Sequence, residues 1–72
     1  MERLFVYSME HDRLIRLIWQ DENGKLCQAN VKVLAWDGRQ VTVAAQRPKR
    51  TLTLSAEQIL SADFRKGDEG EG

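Results

Sequence analysis

The chain has 72 residues and a mass of 8.3 kDa, a size that fits one small domain and excludes a multi-domain enzyme. Hydrophobic residues make up 42% and charged residues 31%, a balance close to that of soluble globular proteins. One cysteine and one histidine allow no internal disulfide and no structural metal site of Cys and His ligands. The apolar runs are far shorter than the roughly 20 residues of a membrane-spanning helix, so we expect a cytoplasmic protein that does not enter a membrane.

The charge is balanced overall but uneven along the chain. Eleven lysines and arginines face eleven aspartates and glutamates. Three of the acids and none of the bases lie in residues 67–72, which leaves residues 1–66 with a net charge of +3. We predict one small β-barrel domain over residues 1–66 and a disordered, acidic, glycine-rich tail over residues 67–72, because the tail has no apolar side chain to bury.

Alternating apolar runs separated by glycine turns predict short antiparallel strands. Residues 13–20 are apolar on both faces, which favours a central strand, and the turn at residues 21–24 leads into a mixed strand over Leu26–Trp36 that changes face near its end. Asp37-Gly38 then predicts a hairpin with a two-residue type I′ turn. A strand with Val41, Val43 and Ala45 on one face is expected over Gln40–Gln46.

The last third of the sequence predicts a second hairpin and one short helical turn. Pro48 lies in the reversal at residues 47–50 and cannot occupy a central strand. A short strand follows over residues 51–54. Ser55 and Gln58 have the spacing of a capping box, which indicates a helical turn before a final strand that contains Ile59.

The first dozen residues leave three alternatives open, because their apolar periodicity does not distinguish them. Residues 4–11 can form a short helix with Leu4, Phe5, Tyr7, Ser8 and His11 on one face. Residues 4–7 can equally form a strand. A single helix over residues 2–19 is also compatible, since no glycine or proline precedes residue 24.

The order of these elements resembles a known class of small barrels. The segments that carry the resemblance are residues 13–19, the turn at 21–24, and residues 31–34, 37–43 and 52–54 before Ile59. Over roughly residues 8–64 the chain resembles the SH3-like or Sm-like barrels of WYL domains and YolD-like proteins. The resemblance implies a mainly β fold, with a small, highly curved antiparallel sheet and one short helical turn, and a bacterial regulatory module that senses a ligand or contacts nucleic acid.

Two departures limit what the resemblance carries over. Residues 41–43 read Val-Thr-Val where a WYL domain has Trp-Tyr-Leu, and Gln58 stands where that family usually has an arginine. The ligand-contacting side chains of the family are therefore not transferred to this chain.

The sequence offers little support for catalysis. His11 stands between Glu10 and Asp12 with no serine or cysteine motif nearby, so we interpret it as a surface or capping residue rather than part of a triad. Cys27 follows a turn and is expected to be a small buried thiol. We predict that the protein is not an enzyme and needs no cofactor or metal.

Two binding functions remain. Trp19 is expected in the core, whereas Trp36 can be exposed; with Arg39 and the basic loop of Arg47, Lys49 and Arg50 it would form the aromatic and cationic surface that single-stranded nucleic acid requires. The first hypothesis is therefore a module, monomeric or weakly homo-oligomeric, that contacts nucleic acid or a regulatory protein. The alternative is a protein-interaction or scaffold module that pairs through a sheet edge or an apolar patch.

Overall fold

The chain begins with a short helix. The structure is a computed structural model that describes residues 2–46 and 48–64, and helix α1 spans Glu2–His11. Of the three alternatives for this segment, the short helix is confirmed, and both the strand over residues 4–7 and the continuous helix over residues 2–19 are wrong. The predicted tail over residues 67–72 lies outside the described residues.

The end of α1 explains why the helix does not continue. Asp12 adopts a positive φ of 55°, and the amide of Arg13 donates to the carbonyl of Ser8 at 3.1 Å. A left-handed residue followed by this hydrogen bond is a Schellman-type cap, which satisfies a carbonyl of the last helical turn and redirects the chain.

Within residues 2–46 and 48–64, five antiparallel strands form one sheet in the order β4-β3-β2-β1-β5. Their bounds are Ile15–Gln20 for β1, Leu26–Trp36 for β2, Gln40–Gln46 for β3, Lys49–Ser55 for β4 and Ile59–Phe64 for β5, with a 3₁₀ turn at Ala56–Gln58 before β5. The predicted mainly β fold with one short helical turn near its end is confirmed. The strand expected to be central, β1, has a neighbour on each side, while β2 occupies the middle of the sheet.

Strand β2 is shared between two halves of the sheet. Its first half pairs with β1, from Leu26 opposite Gln20 to Val31 opposite Ile15. Its second half pairs with β3, beginning with Val31 opposite Ala45. The sheet is therefore bent along β2, and its two halves enclose one core.

A β-bulge in β2 determines where Trp36 lies. The register with β3 shifts between Val33 and Ala35, so Leu34 is the extra residue and its side chain is exposed. The predicted change of face near the end of β2 is confirmed. Ala35, which alternation places with the buried valines, is instead exposed, and Trp36 returns to the core side opposite Val41. A one-residue insertion reverses the facing of every later side chain in the strand.

The core is built from one face of each strand and from the helix. Trp19 is 3% exposed, so its predicted place in the core is confirmed. The other buried apolar side chains in the described part of the chain are Phe5, Ile15, Leu17, Val31, Val33, Val41, Val43, Ala45, Leu54 and Ile59. They include Val41, Val43 and Ala45, the face that alternation predicts for β3, so period-two alternation locates the core along this strand.

Ser8 joins the helix to the sheet and is the only fully buried polar side chain among the described residues. Its hydroxyl donates to the carbonyl of Arg13 at 2.6 Å and accepts from the amide of Val33 at 2.9 Å. The hydroxyl thus satisfies a backbone donor of β2 at the place where the bulge begins. Buried backbone groups need such partners.

The turn between β1 and β2 is held by one carboxylate. Oδ1 of Asp21 accepts from the amides of Asn23 and Lys25, each at 2.9 Å. Gly24 has a φ of 81°, a conformation that favours glycine. The predicted turn at residues 21–24 is confirmed, and an aspartate cap and a left-handed glycine together close it.

The turn between β2 and β3 is a hairpin, but its predicted type is wrong. The amide of Asp37 donates to the carbonyl of Gln40 at 3.2 Å, which places Gly38 and Arg39 at the two central positions. Gly38 has a φ of 95°, whereas Arg39 is not among the described residues with positive φ. A type I′ turn requires positive φ at both central positions, and Arg39 does not meet this requirement.

The side chain of Asp37 accounts for this shift of the turn by one residue. Its Oδ1 accepts from the amides of Gln40 at 2.7 Å and Arg39 at 2.8 Å. These hydrogen bonds lower the pKa of the Asp37 carboxyl below its ordinary value of 3.8, because they favour the charged form. The stabilisation that they contribute is present above the unfolded pKa and is lost as the pH falls through the lower folded pKa.

Replacing Gly38 with valine should lower the free energy of unfolding by about 1–2 kcal/mol, the cost of left-handed backbone for an L-residue. A Cβ at this position meets no atom within 4 Å, so the loss comes from the backbone and not from a clash. Urea unfolding measures it. Gly38→Asn is the matched control and should lose less, since asparagine tolerates this region; equal stability of the valine variant and the wild type would contradict the assignment.

Candidate functional site

Trp36, the proposed stacking residue, is half-buried and in contact with helix α1. Its ring meets that of Phe5 edge-on, with centroids 4.8 Å apart and an interplanar angle of 61°. Its Nε1 donates to Oε2 of Glu2 at 3.2 Å. One edge of the indole is thus committed to contacts within the domain.

The proposed cationic residues lie at two separate places. Arg39 precedes β3, whereas Lys49 lies opposite Gln46 at the far end of that strand. Arg39, Lys49 and Arg50 are exposed, and Arg47 lies outside the described residues. Because β3 has seven residues at about 3.3 Å per residue, the length of a strand separates the two ends. The structure does not bring Trp36 and Arg39 together with Lys49 and Arg50.

A cleft lies between β4 and the hairpin of β1 and β2. Its apolar part is formed by Trp19, Cys27, Leu52 and Leu54, and its polar rim by Asp21, Glu22, Asn23, Arg50, Thr53 and Gln58. These residues come from three strands, one turn and the 3₁₀ segment. The bend of the sheet brings them together, because β4 and β1 are not neighbours in it.

Gln58 closes one end of this cleft. Its Oε1 accepts from the amide of Ser55 at 2.9 Å, and its Nε2 donates to the carbonyl of Gln20 at 3.1 Å. The hydroxyl of Ser55 accepts from the amide of Glu57 at 3.2 Å, which completes the predicted capping box. Gln58 therefore links the end of β4 to the end of β1.

The hydrogen bond just beyond the end of β4 shows which backbone amides of this strand point toward β3 and which point away from it. Gln40 lies opposite Ser55, and the amide of Ala56 donates to the carbonyl of Arg39 at 2.8 Å. A bond between the residues that flank a pair marks that pair as a non-hydrogen-bonded one. The amide of Ser55 accordingly points away from β3, where Gln58 accepts from it.

Alternation along the ladder then orients the other amides of β4. Thr53 and Thr51 are two and four residues before Ser55, so their amides also point away from β3. The hydroxyl oxygens of Thr53 and Thr42 are 3.4 Å apart, consistent with the closer side chains of a non-hydrogen-bonded pair. Since β4 pairs with β3 and with no second strand in the described part of the chain, this edge offers unpaired backbone groups beside the cleft.

The opposite edge of the sheet is less suited to pairing. The register of β5 with β1 shifts between Ile18 and Trp19, which makes Leu60 a bulged residue. Asp63 adds an exposed charge whose carboxylate lies 3.7 Å from Arg16. Bulges and charges protect sheet edges, whereas residues 51–55 of β4 carry neither.

The residues considered for catalysis are not assembled into a site. His11 is exposed, as predicted, with its ring 5.2 Å from that of Tyr7. Cys27, predicted to be buried, is half-buried beside the cleft. Within residues 2–46 and 48–64, no three His, Cys, Asp or Glu side chains are grouped to hold a metal ion. No helix in these ranges has the length and apolar character to cross a membrane.

Sequence reasoning missed the cleft. Two local signals pointed toward it, namely the capping box with its glutamine and the uncharged segment 51–55, but neither shows that β4 faces the first hairpin. Comparisons of the chain with protein-family models, curated proteins and solved structures found no match.

Proposed function

We propose that this chain is a non-enzymatic binding module that receives an extended segment of a protein at the free edge of β4. The observation that carries the proposal is the set of outward backbone groups at Thr51 and Thr53 beside an apolar cleft. Edge pairing supplies main-chain hydrogen bonds, and pockets for alternate side chains supply selectivity. In this proposal the module belongs to the SH3-like or Sm-like class of small barrels and has a regulatory or scaffolding role in the cytoplasm.

The strand β4 has the properties that edge pairing requires. Leu52 and Leu54 face the core side, while Thr51 and Thr53 are exposed. The β-branched threonines favour extended backbone. Pro48 precedes the strand, so it removes no donor from this edge.

A nucleic-acid ligand is the second candidate, and one observation favours it. Among the described residues the ion pairs are those of Arg16 with Asp63 and Lys32 with Asp12, so Lys49 and Arg50 have no acidic partner there. Two exposed cations near one hairpin can neutralise phosphates, with the steep salt dependence that counterion release imposes. Asp21 and Glu22 on the rim of the same cleft disfavour a polyanion at the edge itself.

Selection of displayed random peptides on the full chain tests the protein-binding proposal. We expect peptides that bind the wild type and shift the backbone amide resonances of Thr51 and Thr53. Joint replacement Thr51→Pro and Thr53→Pro should abolish their binding, because proline removes the outward donors and is tolerated at an edge. The matched control is Thr51→Val with Thr53→Val, which keeps both amides and should keep binding.

Two results would overturn this proposal. One is a failure to select any binder, and the other is selected peptides that bind the folded proline variant as well as the wild type. Titration with a short single-stranded oligonucleotide at two salt concentrations tests the second candidate. Shifts at Lys49 and Arg50 that vanish at high salt, with none at the proline-sensitive edge, would favour nucleic acid.

A further inference from the structure

We propose that the segment received at the β4 edge is β4 of a second copy of this chain, so that two copies pair antiparallel about a two-fold axis. This inference rests on the proposed function and names its partner. Three properties of the cleft support a second copy: the positions of its charges, the phase of its free amides and the leucines on the core side of β4.

The charges of the cleft lie at opposite ends of β4. Arg50 is at the beginning of the strand. Asp21 and Glu22 follow directly after Gln20, which Gln58 connects to the last residue of β4. The acidic rim therefore flanks the end of β4 and the basic rim its beginning.

Antiparallel pairing of two β4 strands brings the basic end of each cleft next to the acidic end of the other. The beginning of one β4 lies beside the end of the other, so Arg50 of each copy approaches Asp21 and Glu22 of its mate. The same relation occurs twice about the axis, as an isologous interface requires. Arg50 has no ion pair within its own described chain, which leaves the guanidinium available for this contact.

The free amides select a register. Because those of Thr51 and Thr53 point outward, an axis through Leu52 places Thr51 of each copy opposite Thr53 of the other. Both pairs are then of the hydrogen-bonded kind. The amide of Ser55 lies beyond them and is already bonded to Gln58, so the paired segment ends there.

The same register joins the apolar parts of the two clefts. Leu52 of one copy lies opposite Leu52 of the other on the core side of the extended sheet, next to Leu54. Leu52 is half-buried in the single chain, and pairing covers its remaining exposed surface. Directly opposed apolar side chains stabilise a strand pair. The interface is that of one strand pair and its neighbours, which predicts a weak, concentration-dependent dimer.

Sedimentation velocity and dilution NMR on the full chain test this inference. The wild type should change from monomer to dimer as its concentration rises, with shifts at Thr51 and Thr53. Joint replacement Thr51→Pro and Thr53→Pro should remove the dimer. The valine pair at the same positions should retain it.

Charge reversal provides the discriminating experiment. Arg50→Glu alone and Glu22→Arg alone should each lose the dimer, because like charges then face each other across both halves of the interface. Mixing the two variants should restore association as a heterodimer, in which each position 50 meets an opposite charge at position 22. An interaction within one chain cannot produce this rescue.

The outcomes separate this inference from the proposed function. A wild type that stays monomeric, a dimer that survives the proline pair, or a mixture that remains monomeric would overturn the β4 dimer. If selected peptides still bind the edge in a proline-sensitive manner, the module receives a different protein segment. If they do not, both the partner and the edge function are wrong.

Discussion

Replacement of Trp19 with alanine is expected to lower the free energy of unfolding by roughly 3–5 kcal/mol, the usual cost of removing a buried large aromatic side chain. Trp19 is 3% exposed and lies opposite Cys27 on one side and Ile59 on the other. Its ring therefore supports both the first hairpin and the closing strand β5. A domain of this size has a total stability on the order of 5 kcal/mol. The variant should therefore be largely unfolded at temperatures at which the wild type is still folded.

Urea unfolding followed by far-ultraviolet circular dichroism measures the effect of Trp19→Ala without relying on tryptophan fluorescence. Trp19→Phe keeps an aromatic ring and should lose less, which preserves a measurable transition if the alanine variant does not fold. Leu26→Ala is the control, because Leu26 is 64% exposed. A loss for Trp19→Ala no larger than that for Leu26→Ala would place Trp19 outside the core.

Replacement of Ser8 with alanine is expected to lower the free energy of unfolding by about 2–4 kcal/mol, because two backbone groups lose their hydrogen-bond partner at once. The change leaves the buried amide of Val33 without an acceptor and removes the donor to the carbonyl of Arg13. A buried polar group deprived of its partner costs about 1–3 kcal/mol. The change should therefore loosen the contact between the helix and the sheet near Val33 and also lower the stability of the whole domain.

Hydrogen exchange at the Val33 amide distinguishes this mechanism from a general loss of stability. In Ser8→Ala that amide should lose more protection than the amide of Val43, its pairing partner on β3. Ser61→Ala on an exposed position of β5 is the matched control and should change neither. Unaltered protection of Val33 in a destabilised Ser8→Ala variant would show that the hydroxyl contributes by packing alone.

The strands could be predicted from the sequence because apolar alternation and turn residues act locally. Leu26–Trp36 and Gln40–Gln46 have the bounds that the pattern predicts. The helix was one of three alternatives because the contacts that hold it, above all Ser8 to Val33, join residues 25 positions apart. The turn type was wrong because the side chain of Asp37 binds the amides after Gly38, and this moves the turn forward by one residue.

The candidate site was harder to predict from the sequence than the fold. Trp36, Arg39 and Arg50 are close in sequence, yet β3 runs between the two hairpins that carry them. Trp19 and Leu52 are distant in sequence and share one cleft. A local pattern reports the spacing along a strand, whereas the cleft depends on how far the sheet bends before Gln58 joins β4 to β1.

The strand order also determines how this domain assembles in time. Strands β1 to β4 are successive antiparallel neighbours connected by short turns, so each pairing closes a small loop. Strand β5 pairs with β1 across the whole length of that meander, and the bond from Gln58 to Gln20 spans 38 positions. Closing a longer loop costs more entropy, and non-local pairings slow folding. We therefore expect the meander to form first, and docking of β5 against β1 to be the late step that completes the core around Trp19.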